Sequence, residues 1–292
     1  MKHCEWKSVM KTVEYVVRGP DGADARLTGY VIGNSRELDP NRVRPAVLVL
    51  PGGGYHFTSD TEDEPIAVTL LGFGFQVFSL RYSVAPYRYP VALCEVAEAI
   101  RLLRKNSAEW HIDPDAIVVV GFSAGAHLAG CLGVSWNLED GALHDHGFIP
   151  QQIRPNGLML GYPVVTSGEY AHRGSMQRLL GDSINDPDML DAVSVEKHVN
   201  SDMPPTFLWH TITDELVPVE NSLMLINALH RAHVSVEAHL YESGHHGLSL
   251  GGGESAVPGK SETVEPCVQS WTRLFALWMS RHFTSCTPFL RY

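Results

Sequence analysis

The sequence predicts an α/β protein, with a mostly parallel sheet covered by helices on both faces and an antiparallel hairpin at its N-terminal end. Three observations carry that prediction. Short apolar runs alternate along the chain with stretches of helical periodicity, the pattern of strands linked by crossover helices. One such run leads straight into Gly121-Phe122-Ser123-Ala124-Gly125 and then Ala126-His127-Leu128-Ala129, which reads as strand, sharp turn and helix. The composition is globular: 292 residues, 44% hydrophobic, with no Pro/Ser-rich linker, so a single domain over 1–292 is expected.

The elements follow in order. β-type residues over 9–17 and 26–32, split by Gly19-Pro20-Asp21-Gly22, predict the hairpin. Residues 45–50 are apolar, as a strand buried on both faces must be, and end in Pro51-Gly52-Gly53-Gly54. A helix over 65–71 and a second buried strand over 75–80 come next. After Pro90, the side chains Leu93, Val96, Ala97, Ile100 and Leu103 fall at helical spacing. Residues 117–120 form the strand before the serine turn. Strands are expected over 157–162, 206–210 and 234–241, and helices over 219–232 and 268–282. Two irregular stretches remain, 136–154 and 166–205. The second is long for a simple connection, and both are expected to act as lid or rim segments over a site.

Charge and composition narrow the function. Lys and Arg total 22 against 33 Asp and Glu, a net charge of −11, which argues against nucleic-acid binding and against docking on anionic membranes. No run approaches the ~18 apolar residues of a membrane span. Charges interrupt the first residues, so no signal peptide is read and a cytoplasmic location is expected. Five cysteines, an odd number without C-x-x-C spacing, predict free thiols. His144-Asp145-His146 and His245-His246 lack the helical H-E-x-x-H arrangement, so no metal is expected, and no organic cofactor is needed. No pattern fixes the oligomeric state; a homo-oligomer is compatible with the sequence.

The G-x-S-x-G turn is the strongest chemical signal. Flanking glycines let strand and helix approach closely, Ser123 Oγ projects above the sheet, and the helix aims its first amides at a developing oxyanion. The glycine run after the 45–50 strand allows the backbone to turn N–H groups inward, so Gly53 and Gly54, with Ala124 from the serine turn, are the candidate oxyanion donors. A serine nucleophile needs a base, and the base an orienting carboxylate. Asp214 stands just past the 206–210 strand, with Glu215 its nearest competitor and Asp202 a poorer one because it precedes the strand. His246 lies in the glycine-flanked loop after the last strand, and spacing alone does not separate it from His245. Tyr55, His56, Arg81, Tyr82 and Tyr162 stand near expected strand ends and are candidates to line a pocket.

Together, Pro51-Gly52-Gly53-Gly54-Tyr55, Gly121-Phe122-Ser123-Ala124-Gly125, Asp214 with Val217-Pro218, and Gly244-His245-His246-Gly247 resemble the α/β-hydrolase superfamily. More narrowly the chain looks like bacterial esterases related to acetyl xylan esterases and to the hormone-sensitive-lipase group. Ser59-Asp60, Glu64-Pro65-Ile66-Ala67, Leu80-Arg81-Tyr82-Ser83-Val84 and Ile112-Asp113-Pro114-Asp115 share that likeness, which runs from about Val43 to Phe283. One departure is Pro51, where the lipase form of the loop, HGGG, carries histidine; the Pro-Gly-Gly-Gly form suits the acetyl-xylan-esterase-like group. The resemblance implies an α/β-hydrolase fold, Ser123 as nucleophile, Asp214 as acid and His246 as base. It implies a small-molecule ester as substrate, such as short acyl groups on an acetylated oligosaccharide. The alternatives are a general short-chain carboxylesterase, a lipase or another acyl hydrolase, and, from a different class, a binding protein that kept the fold and lost catalysis.

Overall fold

The computed structural model describes residues 10–285. Eight strands form one sheet: β1 (Lys11–Arg18), β2 (Asp24–Val31), β3 (Arg44–Leu50), β4 (Gln76–Arg81), β5 (Ile112–Phe122), β6 (Gly157–Gly161), β7 (Thr206–Thr211) and β8 (Val236–Tyr241). Their order is β1-β2-β4-β3-β5-β6-β7-β8. The pairs β1–β2 and β2–β4 are antiparallel, and every pair from β4 to β8 is parallel. The expected hairpin is therefore present, apart from Val9, which lies outside the described residues. β5 is longer than the apolar run alone suggests, because its polar start at Ile112 pairs with Arg44 across a register shift.

Ten helices are described: α1 (Glu64–Gly72), α2 (Val91–Lys105), α3 (Ala124–Ser135), α4 (Ala142–Asp145), α5 (Pro150–Ile153), α6 (Arg173–Leu180), α7 (Pro187–Ala192), α8 (Val195–His198), α9 (Glu220–Arg231) and α10 (Ser270–His282). Period-2 alternation sorts the strands between two layers. Ala46, Leu48, Leu50, Ile117 and Val119 face a core completed by α2, α3 and α9. Val47, Val49, Val118 and Val120 face the other core, with Ile66 and Leu70 of α1 and Trp271, Phe275 and Trp278 of α10. Both faces being covered, β3 and β5 could not slip by one residue without exchanging every side chain between differently shaped cores, and each such side chain contributes about 1.5–3 kcal/mol by its burial.

Because the central strands are parallel, the loops that follow β3, β5, β7 and β8 gather at one end of the sheet. Residues 166–205 carry α6, α7 and α8 as they leave β6 at that end. The stretch 136–154, expected as a second rim, is placed at the other end. α3 carries the chain away over twelve residues, and the carbonyls of Gln152 and Arg154 are held by Arg104, which also binds Pro114 O near the start of β5. Among the described residues, no helix is long and apolar enough to cross a membrane. Cys94, Cys131 and Cys267 are free thiols; Cys4 and Cys286 lie outside the described residues.

Candidate active site

Ser123 stands between the end of β5 and the first residue of α3 at φ 52°, ψ −115°, a left-handed conformation costing about 1–3 kcal/mol that the surrounding structure must impose. Its amide is tied to Gly161 O at 3.0 Å. The close approach of helix to sheet demands glycine at 125, where a Cβ would lie 2.1 Å from Leu50 O. The result is a serine hydroxyl held above the sheet, only 7% exposed.

His246 Nε2 lies 2.7 Å from Ser123 Oγ, and His246 Nδ1 lies 2.6 Å from Asp214 Oδ2. A carboxylate can only accept, so Nδ1 carries the proton and Nε2 is the acceptor facing the serine hydroxyl. Asp214 Oδ1 accepts the amides of Leu216 and Val217 at 3.0 and 2.9 Å, and Oδ2 also receives His210 Nε2–H at 3.2 Å. Burial alone would raise its pKa; the hydrogen bonds from His210 and His246, the charge of His246 and the Val217 amide outweigh it and hold the group well below the usual carboxylate range. The loop bearing His246 is pinned to the loop bearing Asp214, since Gly244 O accepts from Thr211 Oγ1 at 2.8 Å and Gly244 N–H donates to Thr213 Oγ1 at 3.0 Å. The other candidates stand elsewhere. His245 Nδ1 donates to His246 O, Glu215 is exposed, and exposed Asp202 receives Asn137 Nδ2.

A cavity of about 340 Å³ opens over Ser123 and His246, lined also by Gly53, Gly54, His56, Phe57, Ser59, Glu62, His172, Arg178, Leu216 and Gly247. Among the described residues, the amides of Gly53, Gly54 and Ala124 have no hydrogen-bond acceptor, and Ala124 N is the first amide of α3. Gly52 N–H, by contrast, is taken by Glu62 Oε2 at 2.6 Å.

Of the five residues expected in the pocket wall, only His56 lines the cavity. The other four are corrected to framework positions. Tyr55, 2% exposed, donates its hydroxyl to His127 Nδ1, and Tyr82 donates to Pro51 O, so both brace the glycine loop from behind. Arg81 is paired with Asp60 and Asp63 at 2.6 and 2.5 Å. Tyr162 is buried, donates to Glu62 Oε1 at 2.5 Å and sets its ring edge against His246 with centroids 4.9 Å apart. The sequence reading missed Glu62, His172, Arg178 and Leu216. His172 and Arg178 come from the 166–205 stretch; Arg178 Nη1 is 3.5 Å from Gly54 O, and His172 Nδ1 shares a 2.7 Å hydrogen bond with Ser175 Oγ. Burial first, then repulsion from His246 and Arg178, lowers the pKa of His172. Among the described residues, no group of three or more His, Cys, Asp or Glu side chains is placed to hold a metal ion.

Comparison with known proteins adds lineage to this geometry. The BD-FAE family model matches residues 37–229, a span that includes the glycine loop, the serine turn and Asp214 but not His246. Endo-1,4-beta-xylanase B of Butyrivibrio fibrisolvens is 36% identical over 217 residues, 72% of this chain and 33% of that protein. Acetylxylan esterase of Xylanibacter ruminicola is 29% identical over 223 residues, 73% of this chain and 43% of that protein. The chain thus spans less than half the length of these two relatives. Among solved structures, the acetyl ester-xyloside bifunctional hydrolase of Caldicellulosiruptor lactoaceticus superposes with a TM-score of 0.74 at 36% identity, covering 88% of each chain.

Proposed function

The chain belongs to the BD-FAE family of α/β-hydrolases, and we propose that it is a serine carboxylic-ester hydrolase that removes short acyl groups, acetyl foremost, from carbohydrate alcohols. One observation carries the reading: an unbroken chain of hydrogen bonds from Asp214 Oδ2 through His246 to Ser123 Oγ, 2.6 and 2.7 Å long, opening on a cavity bordered by unbonded backbone amides.

In this mechanism Ser123 Oγ attacks the ester carbonyl carbon while its proton passes to His246 Nε2. Asp214 accepts the Nδ1–H throughout and stabilises the imidazolium that forms. The carbonyl oxygen, now an anion, lies among the N–H groups of Gly53, Gly54 and Ala124, where loss of one donor typically costs ~3 kcal/mol of transition-state stabilisation. The tetrahedral species collapses, His246 protonates the departing alcohol, and a water deprotonated by the same imidazole releases the acyl group as its acid.

The cavity, at about 340 Å³, supports a small acyl group, since ligand sites commonly run from ~300 to 1,000 Å³. His56, His172 and Arg178 offer polar contacts suited to a hydroxylated alcohol. The relatives named acetylxylan esterase and acetyl ester-xyloside hydrolase support the same substrate class.

A hydrolysis panel tests the proposal: acetyl, butyryl, octanoyl and feruloyl esters and acetylated xylo-oligosaccharides, with Ser123→Ala alongside and a fluorophosphonate adduct sought by mass spectrometry. The expected result is a preference for acetyl, an adduct on Ser123, and a loss in Ser123→Ala of several orders of magnitude, ~10⁵–10⁶-fold in kcat. A preference for octanoyl would replace the deacetylase with a lipase. No adduct and no turnover would make the chain a binding protein.

A further inference from the structure

We infer that Glu62 is a positioning residue serving both halves of the site, its carboxylate fixing the oxyanion loop directly and the His246 loop through Tyr162. The inference rests on the esterase mechanism above.

Glu62 closes a short helical turn, Asp60–Glu62, just before α1, and is 3% exposed. It sits in an acidic run, yet its neighbours face outward or pair with Arg81. Its two oxygens do different work. Oε2 accepts Gly52 N–H at 2.6 Å. That bond turns the first amide of the glycine run away from the substrate and leaves the next two, Gly53 and Gly54, unbonded at the cavity wall. Oε1 accepts the Tyr162 hydroxyl at 2.5 Å. The phenol oxygen in turn accepts Ser249 N–H at 3.1 Å, and its ring lies edge-on to the His246 imidazole. Ser249 Oγ returns a hydrogen bond to Thr61 O, beside Glu62. Glycine loop, acidic turn, β6 end and histidine loop therefore meet at one carboxylate.

Why an acid stands there follows from the donor count. Gly52 N–H can only donate. Tyr162 already receives Ser249 N–H, so its own O–H is directed at Glu62. The two donors approach different oxygens, and a carboxylate presents an acceptor at both places where an amide would turn its NH2 toward one of the donors. Keeping that group buried opposes ionisation: burial raises the Glu62 pKa, and Tyr162, Gly52 and the charge of His246 offset that rise only in part, while both oxygens stand as acceptors of hydrogen bonds. An apolar side chain would fill the same space without that penalty, so packing alone does not account for the residue. The position is also close to the chemistry: a Cβ built on Gly52 would lie 2.6 Å from Glu62 Oε2 and 2.9 Å from Ser123 Cβ. When His246 takes the serine proton, a second negative charge besides Asp214 favours the imidazolium. The other titratable groups about this pair include His56, His172 and Arg178 at the cavity, and Tyr162 and Tyr82 in the core.

The test compares wild type, Glu62→Gln, Glu62→Asp and Tyr162→Phe with p-nitrophenyl acetate, after thermal melts show which variants are folded. In Glu62→Gln, kcat is expected to fall ~30–100-fold while KM stays within ~3-fold, the signature of a contact felt mainly in the transition state. The acid limb of kcat/KM, which follows protonation of the catalytic base, should move to lower pH because a nearby negative charge is gone. Glu62→Asp keeps the charge, so its acid limb should stay at the wild-type position even where its shorter arm lowers kcat. Tyr162→Phe keeps the ring against His246 and loses one arm, and should lose ~3–10-fold in kcat, since one net hydrogen bond is worth about 0.5–1.5 kcal/mol. Wild-type kcat in Glu62→Gln, or equal losses in the Gln and Asp variants with unmoved acid limbs, would overturn the inference and leave Glu62 a packing residue. Should Glu62→Gln not fold, Glu62→Asp and Tyr162→Phe decide it, and wild-type kcat in both counts against. If the wild-type enzyme neither hydrolyses the ester nor takes the fluorophosphonate, it is the esterase mechanism that fails.

Discussion

His210 and His246 both address Oδ2 of Asp214, from 3.2 and 2.6 Å. Only His246 touches Ser123. His210 is fully buried, and its Nδ1 accepts the Ser222 hydroxyl at 2.7 Å, so the proton sits on Nε2 and is shared between Asp214 Oδ2 and Val217 O. Asp214 thus holds four hydrogen bonds, which fix the carboxylate plane that faces the His246 imidazole. His210→Phe keeps the volume and removes the donor. A hydrogen bond to a charged group is worth about 1.5–3 kcal/mol, so kcat/KM is expected to fall ~10–100-fold with KM little changed. Steady-state kinetics decide it; wild-type turnover would show that the three remaining bonds suffice.

The glycine loop is sensitive for a geometric reason. Gly53 has φ +124°, and a Cβ there would lie 2.0 Å from Phe57 O. Gly53→Ala must move the backbone that carries two of the proposed oxyanion donors. Loss of a donor commonly costs 10²–10³-fold in kcat, and a loss of at least ~100-fold is expected here, with a far smaller change in melting temperature because the loop is not core. Retained turnover in a folded variant would mean that the oxyanion is held elsewhere.

His127 supplies a pH signature in stability. It is fully buried in α3, accepting Tyr55 O–H at Nδ1 and donating Nε2–H to Val193 O at 2.8 Å. Burial lowers its pKa to about 4 from 6.5, the Val193 carbonyl opposing only in part. The unfolded chain therefore binds a proton that the folded chain refuses between those values, and stability falls as pH drops from about 6.5 towards 4. His127→Gln should be less stable at pH 7 yet lose less melting temperature between pH 7 and pH 5 than wild type. Parallel losses in scanning calorimetry would assign the acid sensitivity to other groups.

The residues legible from the sequence were those whose constraints are local or ordered along the chain. The serine turn is specified within five residues, and strand and helix on either side confirm its setting. Asp214 and His246 lie in loops that follow strands ending on one side of the sheet, but spacing leaves His245 open beside His246; the choice of His246 comes from the resemblance, and in the structure it is His246 that lies within hydrogen-bond reach of both Asp214 and Ser123. Glu62 was hidden: it lies in an Asp60–Glu64 acidic run that reads as solvated, and its partner Tyr162 is 100 residues away. Tyr55, Tyr82 and Tyr162 stand near strand ends, which predicts wall positions, but proximity to a strand end does not say where a side chain points, and all three are buried. The place of the 136–154 stretch follows from the length of the helix before it rather than from its own residues. α3 starts at the site and rises 1.5 Å per residue, so its twelve residues deliver the chain about 18 Å away.

The 166–205 stretch reaches the cavity through His172 and Arg178, while other hydrogen bonds, such as Val195 N–H on Val165 O and His127 Nε2–H on Val193 O, tie it to the chain just past β6 and to α3. Two polar residues of the cavity wall are thus supplied by a piece of chain separate from those that bear Ser123, Asp214 and His246. For an engineer this makes His172, just before α6, and Arg178, within it, natural positions for randomisation: new acceptors or apolar groups can be screened there with Ser123, Asp214, His246 and Glu62 unchanged, Arg178 being the one whose guanidinium also reaches the glycine loop, 3.5 Å from Gly54 O.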